Sequence, residues 1–98
     1  MNLFMITIQL PKEPTQEFFS LIPKQRAKVD ELMNEGKILH YSLSLDRSQL
    51  WVTIVARTET IAMDILSSFP MIHFMKPEIS ELAFHNSVST ELPKLIMN

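Results

Sequence analysis

The stretch Ile65–His85, ILSSFPMIHFMKPEISELAFH, decides the fold of this chain. Ser67, Ser68 and Pro70 stop a helix, since proline lacks the backbone donor that would continue it. Pro77 for the same reason can only begin or flank a strand, and Ile79–Phe84 has strand-like composition. The stretch therefore reads as the end of a last helix, a Pro-punctuated loop and a last strand running out to His85. Everything upstream must pack on it.

Immediately upstream, Thr58 or Thr60 caps the last helix, with Glu59 at its positively polarised start and Ile61, Ile65, Leu66 and Phe69 on its apolar side. Before it, LWVTIVAR (50–57) alternates Trp51, Thr53 and Val55 against Leu50, Val52, Ile54 and Ala56. A turn at Asp46, Arg47 and Ser48 joins it to a strand over Lys37–Asp46, with Leu39, Tyr41, Leu43 and Leu45 on one face and Ile38, His40, Ser42 and Ser44 on the other. The return strand of this hairpin is expected to be central.

Gly36 supplies the stop of an earlier helix that Thr15 caps. Phe18, Leu21, Ile22, Val29, Leu32 and Met33 fall on one stripe of it. Pro23 either kinks a single helix from Thr15 to Glu35 or sits in the first turn of a second segment capped by Ser20; the stripe keeps its phase across Pro23, which favours the kink. The first strand, Leu3–Leu10, puts Phe4, Ile6, Ile8 and Leu10 on one face and Leu3, Met5, Thr7 and Gln9 on the other.

The order strand, helix, strand, strand, helix, strand predicts an α+β, ferredoxin-like βαββαβ sandwich: a four-stranded antiparallel sheet with two helices on one face. The opposite face still carries Leu3, Met5, and either Trp51 and Val55 or Leu50 and Ile54, and one subunit has nothing left to bury it. A homodimer or higher symmetric oligomer with two sheets face to face, a dimeric α/β barrel, is the expected cover, with a pocket between the uncovered sheet face and the first helix. The 98 residues read as one domain, a core of 3–86 and a tail of 87–98 whose Leu92, Leu95, Ile96 and Met97 are too apolar for a free end and are expected to pack on a partner subunit.

Composition narrows the function classes. Folding a chain of this length buries roughly 65% of its unfolded accessible surface, enough for one core. A net charge of -2 with scattered Lys and Arg argues against a nucleic-acid face. The absence of cysteine excludes disulfides, thiolate metal sites and Cys nucleophiles. One glycine leaves no glycine-rich phosphate loop, so no nucleotide cofactor, and no cofactor of any kind, is expected. His40, His73 and His85 lack a short ligand spacing, so no metal is expected. No apolar run approaches the ~20 residues of a membrane span. MNLFMITIQL lacks a basic flank and fits a first strand better than a signal peptide, so a cytoplasmic protein is expected. Seven methionines serve either an adaptable apolar pocket or the core.

The FPMIHFM (69–75) and LAFHNS (82–87) stretches, the NEGK helix end (34–37) and His40 early in the second strand together resemble the muconolactone delta-isomerase family over roughly Phe4–Ser87. The resemblance implies a small enzyme in which a carboxylate on the first helix moves a proton between two carbons of a lactone ring. Alignment on Gly36 puts Gln25 at the place of that carboxylate, and Leu39 and Phe84 at the places of basic residues. Independently, the helical wheel sets Gln25 in the middle of the apolar stripe, where an amide needs partners. Gln25 is an expected catalytic-site residue that orients a lactone or carboxylate by hydrogen bonds and is no general base, the alternative being that Pro23 rotates this turn and Gln25 meets solvent or a backbone carbonyl.

His40, between polar strand neighbours, is the expected acid or base near neutral pH, with the backbone-satisfied surface histidine as the alternative. Arg26, Ser42, Trp51, Phe84 and His85 are the expected substrate contacts. Two functions stay open: isomerisation of a small lactone or organic acid, and a non-catalytic oligomer whose pocket binds a small organic acid or apolar molecule.

Overall fold

The computed structural model describes residues 1–86. The packing expected of the tail, 87–98, lies outside the described residues. Strand β1 (Asn2–Gln9) is followed by helices α1 (Gln16–Ser20) and α2 (Ile22–Asn34), strands β2 (Ile38–Leu43) and β3 (Gln49–Ala56), helix α3 (Glu59–Ser67), a 3-10 turn (Ile72–Phe74) and strand β4 (Lys76–Glu81). The strands form one sheet in the order β2-β3-β1-β4, with every pair antiparallel. This is the predicted ferredoxin-like arrangement, and β3 is a central strand.

Direct cross-strand partners share a face, so the register separates the two sides of the sheet. Phe4, Ile6 and Ile8 stand opposite Ile54, Val52 and Leu50, and all are buried beneath the helices. Val29 and Leu32 of α2, Ala62 and Leu66 of α3, and Phe69, Met71 and Met75 of the following loop complete this core. Leu3, Met5 and Thr7, opposite Val55, Thr53 and Trp51, form the other face, which carries no helix among the described residues.

Three local details differ from strict sequence periodicity. The first concerns Pro23: the chain breaks at Leu21, which is both C-cap of α1 and N-cap of α2, and Pro23 sits in the first turn of α2. A proline costs nothing there, because the missing donor is one of those left unpaired at any helix start, so two helices replace the single kinked one. Ser20 does not cap α2; its hydroxyl donates to the Glu17 carbonyl at 2.7 Å.

The second is a register shift between Ile38 and His40, a bulge that takes Leu39 out of step. Ile38 thereby joins Tyr41 and Leu43 on the helix side and is buried, while Leu39 is 42% exposed. The third is β4, which begins at Lys76 and ends at Glu81, short of Phe84. It is an edge strand, where the missing donor of Pro77 is tolerated opposite Ile8.

The remaining boundaries follow their signals. Thr15 Oγ1 accepts from the Phe18 N–H, and Thr58 Oγ1 from the Ile61 N–H, each at 3.2 Å. Gly36, at φ 75°, closes α2: its N–H donates to the Met33 carbonyl and that of Lys37 to the Leu32 carbonyl, the paired bonds of a Schellman cap.

Candidate active-site cavity

A cavity of about 780 Å³ opens between α1, α2 and the helix side of the sheet. Its apolar wall includes Phe18, Phe19 and Ile22 from the helices, Leu43 and Leu50 from the hairpin, and Met71 and Met75 from the loop before β4. A wall of this composition fits a small, mostly apolar molecule, with specificity left to a few polar groups.

Gln25 is one of those groups. It is only 4% exposed, among Val29 and Leu32 on the buried side of α2. Its Oε1 accepts a 3.1 Å hydrogen bond from the backbone N–H of Met71, and its Nε2 donates at 3.2 Å to the Tyr41 hydroxyl. The sequence requirement that an amide in the apolar stripe find partners is thus met by the FPMIHFM loop and by β2.

Tyr41 is the polar cavity residue that strand alternation alone passes over, since it reads there as one member of an apolar face. The available signal was pairwise: a tyrosine on the inner face of β2 and a glutamine on the inner face of the facing helix are each other's natural partners. The ring meets Phe69 edge-on at a centroid distance of 6.4 Å. Burial pushes the phenol above its ordinary pKa, and the bond from Gln25 opposes that rise only in part.

Charged groups gather at the rim. Lys12, Arg26 and Arg47 line the cavity, and Asp46 is the carboxylate among its described lining residues. Asp46 Oδ1 accepts from the Ser44 and Ser48 hydroxyls and from the Ser48 N–H at 2.7–3.0 Å. The Ser48 bonds, reinforced by Ser44, hold its carboxyl down at about 2. That network ties off the β2–β3 turn, where Arg47 takes a left-handed φ of 66°.

The expected site residues divide between two places. Gln25 and Arg26 line the cavity. His40 and Ser42 pair with Thr53 and Trp51, which puts all of them on the helix-free face, across the sheet from it. His85 lies on that side as well, its ring 5.6 Å from that of His40, and Phe84 is 82% exposed. A pocket between the uncovered sheet face and the first helix is therefore not formed, because those two surfaces lie on opposite sides of the sheet. The cavity belongs to the covered face, and Leu39 and Phe84 are not among its lining residues. His73 lines a neighbouring cavity of about 390 Å³ with Lys12 and Lys76. Among the described residues no group of three or more His, Cys, Asp or Glu is placed to hold a metal.

Comparison with known proteins bears on the family and the fold. No curated protein matches the chain. Among solved structures, 5-chloro-2-hydroxyhydroquinone dehydrochlorinase from Burkholderia phenoliruptrix, in complex with 2,5-dihydroxybenzoquinone, superposes with a TM-score of 0.70 at 13% identity, over 85% of this chain and 95% of that one. A muconolactone isomerase superposes with a TM-score of 0.70 at 19% identity, over 88% of this chain and 93% of that one. At those identities the likeness is one of fold. The sequence itself decides the family: the model described as muconolactone delta-isomerase matches residues 3–88. With the fold, the element order and nearly the whole length in agreement, this chain belongs to the muconolactone delta-isomerase family.

Proposed function

We propose that the cavity between α1, α2 and the sheet binds a small oxygenated ring, a lactone or related organic acid, and isomerises it by moving a proton between ring carbons. The observation that carries this reading is the buried Gln25 amide on the wall of a ring-sized cavity, held between Tyr41 and the Met71 N–H. The named chemistry of both solved relatives concerns such rings, a lactone in one and a quinone in the other. Lys12, Arg26 and Arg47 at the rim supply positive charge for a carboxylate.

Gln25 cannot take a proton, so the Asp46 carboxylate on the cavity wall takes it from one ring carbon and returns it to the other; held at about 2, it is a weak base at neutral pH. Turnover by the natural chain is accordingly expected to be slow, since a positioned general base is worth about 10²- to 10⁴-fold. The second copy expected on the helix-free face belongs to the same reading: Leu3, Met5, Trp51 and Val55 there are only partly buried in the single chain.

The test is an assay on muconolactone with wild type, Gln25→Glu and His40→Ala. Slow wild-type turnover, a gain in Gln25→Glu and no change in His40→Ala are expected. Turnover that His40→Ala abolishes would move the chemistry to the other sheet face, and failure of muconolactone to bind would overturn the reading.

A further inference from the structure

The direction of each hydrogen bond around Gln25 is fixed by one backbone group. The Met71 N–H only donates, so the amide oxygen must face it and the amide NH2 must face Tyr41. Tyr41 Oη is thus the acceptor in that bond. A phenol carries one proton, and Gln25 does not take it. Tyr41 lines the cavity, so the O–H has the cavity as its open direction, and the Phe69 edge contact restrains the ring that carries it.

We propose that Tyr41 is the ligand-contacting hydrogen-bond donor of this cavity, its O–H binding the carbonyl or enolate oxygen of a planar ring, with Gln25 as the residue that positions it. The inference rests on the cavity being the small-molecule site and says what holds the ligand's oxygen. A ring carbonyl whose neighbouring carbon gives up a proton gathers negative charge on oxygen. A donor already aimed at that oxygen strengthens its bond as the charge grows, without reorganising. Desolvation of the phenol keeps it protonated and available as that donor, while the amide bond from Gln25 engages its lone pair and fixes its orientation. The charged groups on the surrounding walls, Lys12 after β1, Arg26 on α2, and Asp46 and Arg47 in the hairpin turn, leave a net positive rim that favours the same developing anion.

Tyr41 is the only tyrosine in the sequence, so tyrosinate absorbance reports on it alone. In the ligand-free protein its titration midpoint should lie above the ordinary value of about 10. The midpoint should rise further in Gln25→Leu, which removes the bond to the phenol oxygen, and in Gln25→Glu, whose carboxylate draws the O–H inward and repels the phenolate. A midpoint unchanged in both variants would overturn the positioning role of Gln25.

The ligand arm uses 4-nitrophenol, a ring oxyanion whose ionisation is visible by absorbance. Wild type should bind its phenolate form, and Tyr41→Phe, which keeps the ring, should weaken that binding about 10- to 100-fold, the worth of one hydrogen bond to a charged group. Equal binding by both proteins, or none by wild type, would overturn the donor role. Muconolactone turnover is scored separately: wild type that binds nitrophenolate through Tyr41 but leaves muconolactone unchanged would sink the isomerase reading and leave the donor standing.

Discussion

The two faces of the sheet treat polar groups in opposite ways. On the helix side, the polar groups of Gln25 and Tyr41 are drawn into an apolar wall and paired with each other and with the Met71 N–H. On the helix-free side, His40, Ser42 and His85 share a surface with Leu3, Met5 and Trp51, and much of it stays accessible. Thr53 alone is fully buried there, donating at 3.7 Å to the Met5 sulfur. A buried polar group that costs free energy to desolvate and is fully satisfied has a fixed geometry, which is what a site needs. A mixed, half-exposed surface fixes no such geometry, and the second copy proposed to cover it is what the next experiments test.

The largest expected effect breaks that contrast most directly. Ile6→Lys places an unpaired ammonium in the sealed core, where the desolvation penalty amounts to several kcal/mol, and should leave no cooperative unfolding transition. Trp51→Glu puts a charge on the helix-free face instead. It should preserve the circular dichroism spectrum and lower the mass measured by light scattering toward the single-chain 11.4 kDa. Wild type already at that mass would remove the case for a covered face.

Next in size is the pair Gln25→Ala and His40→Ala. The first strands the Met71 N–H in an apolar wall and should cost about 1–3 kcal/mol in urea unfolding. The second, exposed and without a buried partner, should stay within about 0.5 kcal/mol. Equal losses would mean that the two faces are not as different as the hydrogen bonds make them.

These comparisons also mark how far the sequence alone reaches. The element order, the Thr15 and Thr58 caps and the Gly36 stop are local features, written in residues a few positions apart, and they suffice for the fold. Gln25 was half legible, because an amide in a helical apolar stripe is anomalous, but a turn rotated at Pro23 would face it to solvent instead, and where α2 starts decides between the two. Its partners were not: Tyr41 and Met71 stand 16 and 46 residues away, and nothing local names them. His40 misleads for a related reason. Alternation puts it correctly across from Tyr41, but which face carries the cavity is settled by where the helices cross the sheet. The Leu39 bulge is likewise invisible in the sequence, since it answers to the β3 partners of Ile38 and His40.

Alkaline titration gives a smaller effect, and its sign follows from the Tyr41 shift. A phenol whose folded pKa is raised stabilises the fold fully below its unfolded value of about 10, and that contribution is lost as pH rises through the folded value. Urea midpoints should therefore fall above about pH 10 in wild type and fall less in Tyr41→Phe.

The smallest effect is expected at the cavity rim, where Asp46 is exposed and solvent screens it. Its folded pKa of about 2 lies below the unfolded carboxylate value, so its contribution is present at neutral pH. That contribution should fade as pH falls from about 4 toward 2, when protonation weakens the bonds from Ser44 and Ser48. Asp46→Asn keeps one acceptor oxygen and removes the charge. Its stability should match wild type at the acid end and trail it slightly at neutral pH, the gap closing across that window. A constant gap would show that the carboxylate acts through shape alone. The turn it ties holds Arg47 in a left-handed conformation that costs a side chain about 1–2 kcal/mol, so loosening it also frees the Arg47 guanidinium from the rim. Asp46→Asn should accordingly change nitrophenolate binding by less than Tyr41→Phe does, because removing the repelling carboxylate offsets the freeing of Arg47 at a rim that only attracts the anion the tyrosine contacts.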